Sequence, residues 1–337
     1  MDMYLAAASS IQFWRRQRAL NPWHGTLLDL PNKPSLPIGS RSQLRTAGVG
    51  APTTALVKDL LDFELRGLSA PLDFLTSSRS SRRHKGLFDC LLCSSTLPRG
   101  SFVRISDRLL VSSPELCFLQ MARSLSIGKL VCLGLELCGV YASHDSISND
   151  MASCVPIASP SLLRSFIERA GSLRGTQPAL RSLPFVQSRS ASPMESAVLA
   201  LLCLPYRLGG YGIPLPTLNH PISTRSGNVG FLNSQDYYVC DLYWPDARLA
   251  VEYDSDLAHT GSHRIARDSR RRNEIQSMGI TVVTITKAQA YSLSEFDMVA
   301  HQIARHLGKR IHRLRTNAQN ARWQLRADVL PSRHTSG

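Results

Sequence analysis

No apolar run in this 337-residue chain approaches the roughly 18 to 20 residues that a membrane-crossing helix needs. Residues 1–10 have no basic stretch ahead of an apolar core, so they do not read as a secretory leader. The expectation is a cytoplasmic protein with no membrane partner. Paired cysteines are also lacking. The eight cysteines are scattered, and Cys117, Cys132, Cys138, Cys203 and Cys240 lie among apolar neighbours, as buried free thiols do in a reducing compartment. Cys90 and Cys93 have ligand spacing, but a zinc site needs a second pair, and only His84 stands near enough to join them. Acidic charge is short as well: 25 Asp and Glu face 39 Lys and Arg, for a formal net charge of +14. That excess favours polyanions by attraction and by counterion release. Lysine is scarce beside arginine, whose guanidinium suits bidentate phosphate contacts, although a GC-rich genome produces the same bias.

The composition is otherwise that of a globular protein, 43% hydrophobic and 19% charged, and the length allows two domains. Residues 1–53 read as an N-terminal arm and linker, with a short amphipathic piece at Ile11–Arg16 and a Pro-, Gly- and Ser-rich stretch over 31–53. Residues 54–185 read as a smaller α+β domain. It has a helix over 55–68, strands at Phe102–Ile105 and Leu109–Val111, and a serine-capped helix opened by Pro114 and Glu115. Further helices follow over 127–137 and 162–171. Ser192-Pro193-Met194-Glu195 is a capping-box start for an apolar helix over 194–204 that should pack on a sheet. The basic tail, 311–337, continues a run from Lys309 to Arg326 that would extend a nucleic-acid footprint or form a solvated helix face.

Residues 236–286 are the organising stretch. Tyr237–Tyr243 and Leu249–Asp254 are short β-branched or aromatic runs around a turn-like Trp244–Arg248. A turn centred on Asp246 and Ala247 pairs residues whose numbers sum to 493, which sets Asp241 opposite Glu252. Directly opposed carboxylates lie roughly 4.5 to 5.5 Å apart at Cβ and repel unless a cation lies between them. Asp254, two residues on, returns to the face of Glu252. Three oxygen donors in an otherwise apolar run suit a hard cation such as Mg²⁺. The competing reading is a solvated hairpin whose acids each pair with an arginine of the next helix. That helix, 264–278, carries Arg264, Arg267, Arg270, Arg271 and Arg272 and stops at Gly279. Asp268 would be satisfied locally by Arg271 and Arg272. His259 and His263 flank the loop before it, either as functional groups or as plain loop histidines. Ile280–Thr286 is predicted to be a buried strand, followed by a helix capped by Ser294 with Asp297 at its third position.

The order D-L-Y-W-P-D-A-R-L-A-V-E-Y-D, then His259, then R-D-S-R-R-R-N and G-I-T-V-V-T-I-T, resembles the Vsr-like endonuclease domain of the PD-(D/E)XK superfamily, over about residues 190 to 310. The resemblance implies an α/β fold, a restriction-endonuclease-like mixed sheet flanked by helices. It also implies Mg²⁺ (or Mn²⁺) as cofactor and hydrolysis of DNA, in defence or repair. It makes Asp241 the strand aspartate, Glu252 and Asp254 the second acidic element, and His259 the following histidine. Glu195 matches a glutamate that the family often points at the metal from the helix before the first strand, though capping alone also accounts for it. The superfamily's usual lysine is replaced by Asp254. Residues 84–141, through VSSPELCFLQMA and LVCLGLELCGVY, look similar to the regulatory portion ahead of Vsr-like domains in actinobacterial proteins of the abortive-infection antitoxin type.

The implied enzyme is a metal-dependent endonuclease: Asp241, Glu252, Asp254 and Glu195 for the metal, His259 for proton transfer, and Arg267, Arg270, Arg271 and Arg272 for the DNA backbone. The alternatives are an inactive DNA-binding regulator or antitoxin-like protein on the same fold, and a protein-interaction partner of a toxin system. DNA is the expected partner, and a dimer is compatible with the sequence.

Overall fold

The computed structural model describes residues 2–21, 41–42, 49–77, 79, 84–93, 95–143, 153–223, 237–254, 272–311 and 316–331. The chain forms two compact units, one built from Met1–His24 with Leu30–Val186, the other principally from Gln187–Gly337. Each is an α/β structure around a mixed sheet.

In the first unit the strands are β1 (Met3–Leu5), β2 (Arg41–Ser42), β3 (Leu72–Thr76), β4 (His84–Lys85), β5 (Phe88–Leu92), β6 (Phe102–Arg104) and β7 (Leu109–Ser112), in the order β2-β6-β7-β1-β3-β5-β4. The N-terminal segment is therefore no arm. β1 is a central strand, parallel to β7 and antiparallel to β3, and Met3 and Leu5 have no exposed surface. Three residues are too few to display a strand period, and the ladder comes from partners far along the chain. Helix α1 (Ala7–Leu20) follows and includes the short amphipathic piece. Its Arg18 is almost wholly buried, and its guanidinium donates to the carbonyls of Val155, Glu136 and Gly139 at 3.0, 2.9 and 2.7 Å. Arg15 forms a two-pronged ion pair with the Glu136 carboxylate at 2.7 and 2.8 Å, and these contacts hold Glu136 below the usual carboxylate range despite the cost of its burial.

Helix α2 (Thr54–Asp62) stops sooner than its apolar pattern suggests, leaving Phe63 exposed. Helix α3 (Pro114–Met121) is capped as expected: Ser113 Oγ accepts the Leu116 N–H at 3.2 Å. Helix α4 (Ile127–Cys138) ends at Gly139, and α5 (Pro160–Ala170) and α6 (Thr176–Ser182) complete the unit. Cys90 is buried in β5 and Cys93 follows it, and neither is in a disulfide. Among the described residues no helix is long and apolar enough to cross a membrane.

The second unit opens with α7 (Pro193–Cys203), in which Ser192 Oγ accepts the Glu195 N–H at 3.1 Å. Every residue from Glu195 to Cys203 is buried, so the helix is covered on all sides. The sheet has the order β11-β10-β9-β8, with β8 (Thr217–Ser223) antiparallel to β9 (Tyr237–Trp244), β9 antiparallel to β10 (Leu249–Asp254), and β10 parallel to β11 (Thr281–Thr286). β11 alternates between covered and open positions instead of being buried throughout, as suits a strand paired on one side. Residues 272–277 are helical, and Gly279 follows at φ +75°, the left-handed conformation of a helix stop.

Two helices follow β11, the second starting earlier than the sequence predicts. Helix α8 (Lys287–Tyr291) is capped reciprocally by Thr286 and Gln289. Helix α9 (Leu293–His306) is capped by Ser292, not Ser294, because Glu295 supplies the first-turn carboxylate three residues later. Asp297 is thereby freed to accept hydrogen bonds from Tyr211 and Arg322.

Helix α10 (Thr316–Val329) corrects the reading of the basic tail. Arg322 and Arg326 point inward: Arg322 pairs with Asp297 at 2.7 Å and stacks 3.8 Å over the Tyr211 ring, and Arg326 donates to the Ala290 carbonyl at 2.6 Å. Neither is available to a nucleic acid. The backbone of α10 lies so close to Gly209 (φ +91°) that a Cβ there would stand 2.2 Å from the Ala321 carbonyl oxygen.

Candidate functional site

The β9–β10 hairpin is built as its turn residues dictate. The chain turns over residues 245–248, Arg248 takes φ +49°, and the pairs Leu249–Trp244, Ala250–Tyr243 and Val251–Leu242 all sum to 493. Asp241 and Glu252 are the next residues in that register. At this point the ladder stops. The Tyr253 amide, which would otherwise meet a β9 carbonyl, donates at 2.8 Å to Oδ2 of Asp241. The aspartate side chain thus takes the place of a backbone acceptor where the two strands part.

On the other side of β9 the register runs through Leu218–Leu242 and His220–Cys240. Asn219 lies between these pairs, level with Asp241. It has a left-handed backbone, φ +43°, and is buried, and its Nδ2 donates to the Arg189 carbonyl at 2.8 Å and to Glu195 Oε2 at 2.6 Å. The same Glu195 oxygen accepts the Ala191 N–H at 3.0 Å. One line across the sheet therefore runs from Glu195 through Asn219 and Asp241 to Glu252, whose partner on β11 is Thr284. Burial raises the Glu195 carboxyl above its ordinary range, against the hydrogen bonds from Ala191, Asn219 and Ser192.

The left-handed residue also changes which side chains share a face. Regular alternation puts residues 240 and 243 of β9 on opposite faces. Yet His220, the partner of Cys240, stacks on Tyr243 with ring centroids 5.1 Å apart and planes 19° from parallel, and Cys240 packs in one cluster with Tyr243, Ala250, Ile275 and Ile280. The strand alternation breaks at the Asn219–Asp241 level. Tyr243 faces Ala250 across the hairpin, and Glu252 and Asp254 follow Ala250 on that same face.

Asp241, Glu252 and Asp254 thus occupy adjoining strands at the open end of the hairpin. Among the described residues, however, no group of three or more His, Cys, Asp or Glu could hold a metal ion. Two carboxylates, as at Asp241 and Glu252, are the number that commonly holds Mg²⁺ together with waters and substrate phosphates. The fuller set that includes Glu195 and Asp254 does not assemble, and the Glu195 carboxylate instead accepts the Ala191 N–H and the Asn219 amide, while Ser192 alone caps α7. Arg272 is exposed at the start of the helical 272–277 segment. His259, His263, Arg264, Arg267, Arg270 and Arg271 lie outside the described residues. Asn219 and His220 were missed in the sequence, where a strand containing Asn219 and Pro221 gives little strand signal.

Comparison with known proteins gives two relatives, Uncharacterized protein Rv2248 and Uncharacterized protein MT2308, both of Mycobacterium tuberculosis. Each is 30% identical over 207 residues, 61% of this chain and 64% of the relative. The matched region thus spans a little under two thirds of the curated relatives' length. No family model matches the chain, and no solved structure matches it.

Proposed function

We propose that the second unit is a metal-dependent endonuclease of restriction-endonuclease-like fold that hydrolyses DNA phosphodiester bonds. The observation that carries this reading is the level placement of Asp241 and Glu252 where the β9–β10 ladder opens, in a chain of net charge +14. A bound Mg²⁺ or Mn²⁺ would polarise the scissile phosphate and lower the pKa of a water. Asp241 and Glu252 would hold that ion, with Asp241 kept in place by the Tyr253 amide. Arg272, with Arg267, Arg270 and Arg271 of the same basic segment, would neutralise backbone phosphates. The first unit would regulate the second, in a defence or repair setting.

The test is cleavage of plasmid and of short duplex and single-stranded DNA with Mg²⁺ or Mn²⁺. Wild type should cleave, and Asp241→Asn and Glu252→Gln should each lose cleavage while retaining DNA affinity. A folded wild-type protein that binds DNA with steep salt dependence but cleaves no substrate would end the nuclease reading. It would leave the second one, a DNA-binding regulator or antitoxin-like protein. Two observations favour that alternative: Asp254 stands where the superfamily's lysine is usual, and no three-ligand group forms among the described residues.

A further inference from the structure

We infer that His220 is the proton acceptor of the hydrolysis proposed above, a role that the sequence directs to His259; the inference rests on the nuclease reading.

Three observations place His220 for this. First, the left-handed Asn219 breaks the alternation of β8, so the next residue, His220, joins the face that carries Tyr243, Ala250 and therefore Glu252. Without the break the imidazole would project from the opposite face. Second, His220 pairs with Cys240, one residue along the strand from the level of Asp241 and Glu252. Its ring leans back to stack on Tyr243, which lies beyond that level on the other side. The imidazole therefore inclines from the level of Cys240 towards that of Asp241. Third, the near-parallel stack holds the ring plane, while His220 itself remains partly open to solvent. A group that accepts a proton from an attacking water needs this combination of fixed orientation and access.

The ionisation state agrees with the role. Partial burial, with a smaller contribution from Arg189, holds the imidazole below its ordinary pKa, so it stands neutral at pH 7 and can accept a proton. The titratable and charged groups around it are Arg189 from the segment before α7, Cys240 and Tyr243 on β9, and Asp241 with Glu252 at the adjoining level. In the step itself a water O–H proton passes to the unprotonated ring nitrogen of His220 as the water oxygen bonds to phosphorus. The bond from phosphorus to the leaving oxygen breaks, and that oxygen takes a proton from solvent. No oxidant or reductant is involved.

The experiment is single-turnover cleavage with Mg²⁺ as a function of pH, for wild type, His220→Gln and Tyr243→Leu, with affinity for uncleaved DNA measured in Ca²⁺. The expected results are a loss of about 10² to 10⁴-fold in the rate for His220→Gln, disappearance of the acid limb of the pH profile, and DNA affinity unchanged. Tyr243→Leu keeps the imidazole but releases the stack, and should move the acid limb to higher pH. If wild type cleaves and His220→Gln keeps both the rate and the acid limb, His220 is not the base and the nuclease reading stands. Should the glutamine variant not fold, an acid limb unmoved in Tyr243→Leu overturns the inference. If the folded wild type cleaves nothing, both proposals fall together.

Discussion

Oδ2 of Asp241 accepts the Tyr253 amide at 2.8 Å, in the position where a β9 backbone carbonyl would otherwise end the hairpin ladder. The side chain therefore has a structural duty separable from any chemistry. Asp241→Ala should cost about 1 to 3 kcal/mol of stability, because it leaves a partly buried amide without its acceptor. Asp241→Asn keeps a carbonyl oxygen at that position and should cost less. Urea denaturation of the two variants checks the order, and equal losses would assign the effect to something other than this bond.

Glu195 separates a structural role, binding the Ala191 amide and Asn219, from a metal role. Its carboxyl is raised above the ordinary glutamate value of roughly 4.3, so the native state binds its proton more tightly than the unfolded chain does. This group's contribution to stability therefore declines as pH rises from the unfolded value through the folded one. Glu195→Gln keeps an oxygen for Ala191 and Asn219 and removes that decline. The variant should be at least as stable as wild type at pH 7, with a flatter dependence on pH above the ordinary glutamate value. It should also retain Mg²⁺-dependent cleavage within about tenfold, or roughly 1.4 kcal/mol, since this side chain is held by Ala191 and Asn219 and not by the ion. A loss of several hundredfold would return Glu195 to the metal shell.

The α9–α10 contact rests on one carboxylate serving two donors. Tyr211 and Arg322 both donate to Asp297, and the Arg322 side chain is 6% exposed while Asp297 is 36% exposed. Asp297→Ala leaves a buried cation uncompensated and should cost about 3 kcal/mol, at the low end of such losses because the carboxylate is partly solvated. Arg322→Met keeps the stack on Tyr211 in apolar form and should cost less. Chemical denaturation of both variants and the double mutant gives the coupling, which should exceed about 0.5 kcal/mol if the pair interacts as described.

In the first unit, Arg18 donates to three carbonyls from within the core. Arg18→Lys preserves the charge but cannot reproduce the planar fork, so it should destabilise by about 2 kcal/mol or more, and Arg18→Ala by still more. A lysine variant with an unchanged melting temperature would contradict this account.

For the arginine-rich segment of the sequence, Arg272→Ala should weaken DNA binding alike across sequences and reduce the slope of log affinity against log salt by about 1. Titrations between 50 and 200 mM salt measure it. An unchanged slope would show that Arg272 makes no phosphate contact.

The parts of the fold written in local sequence were legible. The turn at Trp244–Arg248 fixed the hairpin register to the residue, and serine caps with proline at the first helical position marked α3 and α7. What depends on distant partners was not. β1 is too short to carry a period, and β8 contains Asn219 and Pro221, which strands disfavour. The inward turn of α10 did leave a trace: Arg322, Leu325, Arg326 and Val329 are spaced three, four and seven apart on one stripe, and all four are buried. Their charge drew the reading towards solvent. For the candidate site, the level placement of Asp241 and Glu252 followed from the turn, whereas the break in alternation that brings His220 to the face of Glu252 required the left-handed backbone at Asn219.

The close seating of α10 on Gly209 bears on how the protein can be cut into pieces. A fragment stopped near residue 310, where sequence alone would draw the boundary, would strip the cover from Tyr211 and Phe296 and strand Asp297 without its guanidinium. Expression of the C-terminal half for biochemistry should therefore run through Pro331, whose carbonyl also receives the Tyr291 hydroxyl.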